Sequence, residues 1–130
     1  MPAVIKLDEL LAKNFSWLVS DCGYRTVSYI PGPGYFDRST LVLESPELLL
    51  RFTLERGYVA LDVGVASQPG AWWNLVDACE AIFGERPVPE LEGLAPLLAA
   101  HYDGLTLAFG EDLAATKRAI ETLKQRRERE

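Results

Sequence analysis

The first stretch of the chain carries apolar residues three and four positions apart, which is the spacing of one face of an α-helix. The stripe consists of Leu7, Leu10, Leu11, Phe15, Leu18, Val19 and Cys22. Gly23 follows it, and glycine is a common residue just beyond a helix end. We therefore predict one amphipathic helix over residues 7–22, with its apolar face on a hydrophobic core.

The next part of the chain has the pattern of strands separated by turns. β-Branched and aromatic residues or alternating apolar positions predict four strands. These are residues 24–30, 39–44, 48–55 and 58–66. Pro31-Gly32-Pro33-Gly34 interrupts regular structure after the first strand, and Ser45-Pro46 and Arg56-Gly57 are turn signals. The sequence therefore predicts a four-stranded antiparallel meander.

The third and fourth strands can be aligned residue by residue. A two-residue loop at Arg56-Gly57 places Glu55 opposite Tyr58 and Arg51 opposite Asp62. One face of the pair is then wholly apolar, and a slip of one residue would destroy that face. Its members are Leu48, Leu50, Phe52, Leu54, Val59, Leu61, Val63 and Val65.

Two further details of the sheet follow from the same pattern. Across the Ser45-Pro46 turn we expect Leu43 opposite Leu48 and Leu41 opposite Leu50. A glycine inside a strand often marks an irregularity, so Gly64 predicts a bulge or bend in the fourth strand.

The last part of the chain predicts helices. A second stripe consists of Trp72, Leu75, Val76, Cys79, Ile82 and Phe83, and Gly84 ends it. Residues 91–109 are apolar but contain Pro96 and Gly104, so we place a helix mainly over residues 94–102. A final helix follows over residues 111–129, with acidic residues at its start and basic residues at its end.

Together these elements predict an α+β fold. A four-stranded antiparallel meander carries an N-terminal helix and two to three C-terminal helices, all covering one face of the sheet. The length, 130 residues, is that of one domain, so we treat residues 1–130 as a single domain whose end, about residues 124–130, frays.

Charge is unevenly distributed along the chain. The net charge is −6, but residues 1–112 hold 7 basic and 16 acidic side chains, whereas residues 113–130 hold 6 basic and 3 acidic ones. An acidic body repels phosphate backbones and attracts basic proteins. We therefore expect a basic protein partner and no nucleic acid.

Localisation is predicted from the absence of export or membrane signals. No apolar run approaches the roughly 18 residues of a membrane-spanning helix, and residues 1–11 have no signal-peptide pattern. We therefore expect a cytoplasmic protein without a membrane partner. Cys22 and Cys79 should then be reduced, with a disulfide between them as the alternative.

Candidate catalytic and cofactor-binding residues are few. Two cysteines and one histidine cannot complete a Cys/His zinc site, and no phosphate-binding glycine motif occurs, so we expect no metal or cofactor. His101 is followed by Tyr102 and Asp103, but neighbouring residues on a helix point about 100° apart. An enzyme using His101 with Asp103 or Asp62 is one alternative; the preferred interpretation of Arg51 and Asp62 is a structural ion pair.

The aromatic residues indicate a binding surface more directly. Trp72 belongs to the second apolar stripe, which leaves Trp73 on another face with Asp77 and Glu80. A partly exposed tryptophan beside carboxylates is typical of a contact site for a basic protein. Trp73 could equally pack under the loop at residues 31–36 or against the last helix. Tyr35 and Phe36 in that loop are further candidate contacts.

Three phrases of the sequence resemble small bacterial proteins. They are residues 15–24 (FSWLVSDCGY), 50–59 (LRFTLERGYV) and 72–75 (WWNL), and the likeness spans about residues 7–105. Some proteins of this style are immunity proteins that neutralise the toxins of competing bacteria. The resemblance implies an acidic, non-catalytic inhibitor that binds a basic toxin or effector domain.

The functional hypothesis is therefore a non-enzymatic protein-binding module of the immunity type. Two alternatives remain open at this point. One is an acidic secretion chaperone, for which a homodimer would be expected, and the other is a small enzyme that uses His101.

Overall fold

A computed structural model describes residues 7–30, 39–55, 58–68, 70–84 and 91–129 of the chain. These residues form helices on a single antiparallel sheet, which confirms the α+β class. In chain order the elements are α1 (Leu7–Asn14), α2 (Ser16–Ser20), β1 (Arg25–Ile30), β2 (Ser39–Glu44), β3 (Leu48–Glu55), β4 (Tyr58–Val65), β5 (Trp73–Asn74), α3 (Leu75–Phe83), α4 (Leu91–Gly110) and α5 (Leu113–Arg129). The five strands lie side by side in chain order.

The N-terminal helix is broken in two, where the sequence predicts one helix. Phe15 leaves helical geometry at φ −128° and separates α1 from α2. Its ring is buried and packs edge-to-face on Phe52 of β3, with the ring centroids 4.9 Å apart. Beyond α2 the chain reaches Gly23 at φ +74°, a left-handed conformation that favours glycine.

The pairing of β3 with β4 is the predicted one, from Glu55 opposite Tyr58 to Leu48 opposite Val65. The predicted pairing of β2 with β3 is wrong by two residues, because Leu43 lies opposite Leu50 and Leu41 opposite Phe52. The Ser45 amide donates to the Leu48 carbonyl oxygen at 3.0 Å, so residues 46–47 form the turn. Because side chains alternate with a period of two, this shift leaves each one on its predicted face.

A fifth strand lies where the sequence predicts the beginning of the second helix, at Trp72. Trp73 pairs with Val63 and Asn74 pairs with Asp62, so β5 extends the sheet beyond β4. The Asn74 side chain then accepts hydrogen bonds from the Val76 and Asp77 amides and caps α3. The helix therefore begins at Leu75, and the prediction that Trp72 belongs to its stripe is wrong.

Two glycines allow close packing. Gly64 lies in regular pairing with Leu49, and the bulge in this sheet is instead in β1, between Thr26 and Ser28. A Cβ atom on Gly64 would lie 2.9 Å from the carbonyl oxygen of residue 71. A Cβ atom on Gly104 would lie 2.8 Å from the Phe83 ring, so this glycine lets α4 approach α3. With that glycine inside it, α4 runs from Leu91 to Gly110, well beyond the predicted 94–102.

The helices cover one face of the sheet, as predicted. α1 packs on β2 and β3, while α3 and α4 pack on β4. The core between the layers includes Leu7, Leu18, Leu41, Leu43, Leu50, Phe52, Leu61, Val63, Leu75, Leu98, Leu105 and Ile120. The alternate residues of β2, β3 and β4 lie on the opposite face, where no helix of the described chain packs.

Candidate functional site

The uncovered face of the sheet holds a groove of about 510 Å³. It is lined by Thr40, Arg51, Thr53, Glu55, Tyr58, Val59, Ala60 and Asp62. The register explains its shape. Thr40, Thr53 and Ala60 are cross-strand neighbours and form a floor of small side chains. Longer side chains close the two ends, with Glu55 opposite Tyr58 at one end and Arg51 opposite Asp62 at the other.

The end formed by Arg51 and Asp62 is fixed by three groups. The Nε and Nη2 atoms of Arg51 both donate to Oδ2 of Asp62, at 3.1 and 2.8 Å. The guanidinium carbon lies 4.5 Å from the centre of the Trp72 ring, a cation–π distance. This confirms the predicted opposition of Arg51 and Asp62, and it shows that both groups are held within the chain.

Trp72 is the residue of this site that the sequence reasoning missed. Its ring lies against Gly64, where a Cβ atom would come within 3.2 Å of it. Two signals could have found it. A glycine within a strand also indicates close approach of another group, and Asn74 is a favoured N-cap that starts the helix after Trp72.

The predicted contacts Trp73, Asp77 and Glu80 all face α5 of the same chain. The Trp73 ring centroid lies 5.5 Å from that of Phe109, and Lys117 Nζ lies 5.6 Å from the Trp73 ring centroid. Trp73 is therefore half-buried against the last helix, one of the two packing arrangements that the sequence left open.

The carboxylates beside Trp73 also contact α5. Arg127 Nη1 donates to Asp77 Oδ1 at 2.5 Å, and its Nη2 donates to Glu80 Oε2. The hydrogen bond to Asp77 is the largest cause that raises the pKa of Arg127. The side chains of Asp77 and Glu80 remain 20% and 25% exposed. One basic side chain of this chain thus already pairs with both carboxylates of this surface.

His101 does not lie at the groove. Its ring stacks on Phe83 of α3, with the centroids 4.3 Å apart and the planes 16° apart. Asp62 belongs to the uncovered face of the sheet, so the structure does not bring it to His101. Asp103 is exposed on α4. The geometry gives His101 a packing contact with an aromatic ring.

A pair of tyrosines, Tyr24 buried and Tyr102 half-buried, lies where α2, β1 and α4 meet. The Tyr102 hydroxyl donates to the Tyr24 hydroxyl at 2.8 Å, and Trp17 packs edge-to-face on Tyr102. Burial is the first cause that raises the pKa of both phenols above the ordinary value. Both tyrosines are therefore neutral at physiological pH. Cys22 and Cys79 are not joined to each other, so the alternative of a disulfide between them is wrong.

The remaining predictions concern the loop residues Tyr35 and Phe36, metal binding and the membrane. Tyr35 and Phe36 fall outside the described residues. Within the described ranges, no three His, Cys, Asp or Glu side chains are grouped so that they could hold a metal ion. No helix in that part of the chain has the length and apolar character needed to cross a membrane.

No protein-family model matches the chain, and no curated protein or solved structure matches it.

Proposed function

We propose that this protein is a non-enzymatic protein-binding module, an immunity-type inhibitor that binds a basic toxin or effector domain through the uncovered face of its sheet. The observation that carries the proposal is the position of Tyr58. Its side chain is 76% exposed at the end of the groove, beside Glu55 and on the same strand as Asp62. Exposed aromatic rings next to acidic groups are typical contacts for basic proteins.

The charge of the chain supports the same kind of partner. Residues 1–112 carry nine more acidic than basic side chains. The basic residues Lys117 and Arg127 of α5 contact Trp73 and the two carboxylates of α3. The acidic excess of residues 1–112 would attract a basic domain, and this attraction would raise the association rate of the two proteins at low ionic strength.

The scaffold also suits an inhibitor. The groove lies on β2, β3 and β4, whose opposite sides are buried in the core. A contact surface on packed strands changes little on binding, so little binding free energy is lost to ordering it. Such a surface can cover the active site of a partner without chemistry of its own.

The experiment uses as partner a basic domain that a gene next to this one is found to encode, as the proposal requires. Calorimetry gives its affinity, and growth of cells expressing the domain reports neutralisation. Tyr58→Ala should weaken binding by roughly thirtyfold, the effect of losing an aromatic hot spot of about 2 kcal/mol. The matched control is Leu107→Ala, which removes an exposed side chain from α4. Full affinity in Tyr58→Ala would contradict the proposed surface.

A charge pair of variants tests the electrostatic part. Glu55→Gln and Glu111→Gln make the same change in net charge, but only Glu55 lines the groove. Glu55→Gln should slow association and weaken its salt dependence more than Glu111→Gln does. Trp73, Asp77 and Glu80 stay proposed secondary contacts, through the parts that α5 leaves exposed, and Tyr35 and Phe36 stay proposed contacts from the sequence. His101→Ala should leave neutralisation unchanged.

One observation favours the second candidate, an acidic secretion chaperone that acts as a dimer. All six residues of β1 are exposed, and β1 is an edge strand of the sheet. Such an edge can pair with a second strand. Sedimentation across a hundredfold range of concentration distinguishes the two functions, because the chaperone requires a stable dimer and the inhibitor does not.

A further inference from the structure

We infer that the partner adds an extended segment to the open edge of β4 and places one branched apolar side chain, a valine, isoleucine or leucine, in a pocket beside that edge. The inference rests on the proposed function and names the part of the partner that is recognised. It begins from β5, which pairs only with Asp62 and Val63 of β4. Among the described residues, no strand therefore lies beside residues 58–61, which we call the open edge.

The direction of the backbone groups along the open edge follows from one hydrogen bond just beyond β4. The Ala66 amide donates to the Glu47 carbonyl oxygen at 3.1 Å, in the same register as the pairs of β3 with β4. Hydrogen-bonded positions alternate along an antiparallel pair, so every second residue back from Ala66, including Ala60, binds β3. The N–H and C=O groups of Val59 therefore point away from β3, and no described residue forms a backbone hydrogen bond with them.

The open edge lacks the features that commonly prevent strand addition. Charged side chains, proline and bulges protect many edge strands. None of residues 58–61 is charged or proline, and their pairing with β3 is regular. Tyr58 and Ala60 are exposed, so a segment can approach this edge from solvent. Backbone groups at such an edge bind an extended segment rather than a helix.

A pocket of about 150 Å³ lies beside the open edge, on the side of the sheet that the helices cover. Its lining consists of Val59, Ala60, Leu61, Asn74, Val76, Asp77 and Leu94. The two polar side chains already have partners, because Asn74 Oδ1 accepts hydrogen bonds from the amides that it caps and Asp77 accepts one from Arg127. The rest of the lining is apolar and suits an apolar side chain.

The strand register connects the unpaired backbone groups with this pocket. Val59 lies opposite Leu54, which is buried, so the Val59 side chain points to the helix side of the sheet. A residue paired with Val59 through two backbone hydrogen bonds shares that face, so its side chain points to the pocket. The volume is about five times the ~30 Å³ that one water molecule occupies in the liquid, which is enough for one branched apolar side chain.

The pocket also adjoins the surface of the proposed function. Val59 and Ala60 line both the pocket and the groove on the uncovered face. Neighbours of the anchored residue would lie beside Tyr58 and Ala60 on that face, because side chains alternate along a strand. At about 3.4 Å per residue, residues 58–61 accommodate a segment of about four residues.

Peptides of known sequence test the inference directly. The probes are three capped pentapeptides of threonine whose central residue is leucine, alanine or N-methyl-leucine, the last without the N–H that would donate to Val59. Titrated to millimolar concentration into the isotope-labelled chain, the leucine peptide should shift the amide signals of Val59 and Leu61. The apparent affinity should fall at least tenfold for the other two peptides. Equal affinities for all three, or shifts confined to β1 at the other edge, would overturn the inference.

Proline variants test the direction of the backbone groups. Val59→Pro removes an N–H that faces away from the sheet, where proline is tolerated, so its urea midpoint should stay close to that of the wild type. Ala60→Pro removes an N–H that binds β3 and should lower the midpoint strongly.

The leucine peptide should bind Val59→Pro at least tenfold more weakly than the wild type. The matched control is Val59→Thr, which keeps the N–H and nearly the same side-chain size and should bind like the wild type. Full affinity in Val59→Pro would contradict the inference, and the methylated peptide decides the same question if this variant does not fold.

The basic domain used to test the proposed function separates the two proposals. If that domain binds Val59→Pro with full affinity but binds Tyr58→Ala weakly, the inhibitor function stands and the added segment is wrong. If the domain does not bind the wild type, the proposed function is wrong, and the peptide titration still decides whether the open edge takes an extended segment. A wild-type dimer in sedimentation that Val59→Pro abolishes would assign the edge to a second copy and overturn the inference.

Discussion

Replacing Gly64 with alanine tests how the candidate site is built. Gly64 lies in β4, and the chain at residues 71–72 crosses directly over it. An added Cβ atom would lie 2.9 Å from the carbonyl oxygen of Ala71 and 3.2 Å from the Trp72 ring. The first of these atoms belongs to the backbone, so it cannot move aside as a flexible side chain would.

Two opposing effects set the size of the change. Alanine in a strand interior is ordinarily more stable than glycine by roughly 0.5–1 kcal/mol. Overpacking a tight contact costs about 1–3 kcal/mol, and moving the Trp72 ring also weakens its contact with Arg51, worth about 0.5–1 kcal/mol at an exposed site. The clash outweighs the strand preference, so we expect Gly64→Ala to lower the free energy of unfolding by about 1–2 kcal/mol.

Urea unfolding followed by circular dichroism measures this change. With a slope of about 2 kcal/mol per molar urea, in the middle of the usual range, the midpoint should fall by roughly 0.5–1 M. The control is Gly110→Ala at the end of α4, where a Cβ atom meets nothing within 4 Å, so no loss from a clash is expected. A Gly64→Ala variant as stable as the wild type would refute the close crossing of residues 71–72 over β4.

Exchanging the charges of Arg51 and Asp62 together should restore part of the stability that either single reversal loses, and a double-mutant cycle without coupling would contradict their pairing. Leu61→Ala, in the core, should lower the free energy of unfolding measured in urea by about 2–5 kcal/mol, and Thr53→Ala, in the groove, should lower it by less than about 1 kcal/mol. Similar losses in the two variants would mean that the buried and uncovered faces of the sheet are reversed. Burial raises the pKa of Tyr102 in the folded state above its value near 10 in the unfolded state. The contribution of Tyr102 to the free energy of unfolding is therefore complete below about pH 10 and falls as the pH rises above it, because the unfolded state then loses the phenol proton first. Tyr102→Phe should reduce that fall, by at most about 1.4 kcal/mol per pH unit, and an equally steep alkaline decline would argue against the raised pKa of this phenol.

The pairing of β3 with β4 could be predicted because several signals agree on it. The turn signal Arg56-Gly57 in the sequence, the apolar face and the opposition of Arg51 with Asp62 all predict the same register, the one observed between β3 and β4. The pairing of β2 with β3 rests only on its turn, and a shift of two residues leaves the apolar pattern unchanged. The hydrogen bond between Ser45 and Leu48 that selects the register cannot be inferred from that pattern.

The placement of the two adjacent tryptophans could not be predicted from periodicity. Trp72 lies three residues before Leu75, as a helical stripe requires, so the sequence places it in the core. The capping by Asn74 starts the helix later and leaves Trp73 extended beside Val63. Neighbouring residues of an extended chain point to opposite sides, which puts Trp73 against α4 and α5 and Trp72 on the uncovered face with Arg51.

The basic end of α5 could be predicted from the sequence, but not what it binds. Arg127 contacts Asp77 and Glu80, whereas the neighbouring Arg126 is exposed and has no ion pair within the described chain. We therefore expect Arg127→Gln to lower the thermal midpoint and Arg126→Gln, which makes the same change in net charge, to leave it nearly unchanged. The loss should shrink between 0.1 and 1 M salt, because the screening length falls from about 10 to 3 Å. Equal midpoints for the two variants at low salt would show that the contact of Arg127 with these two carboxylates does not stabilise the fold.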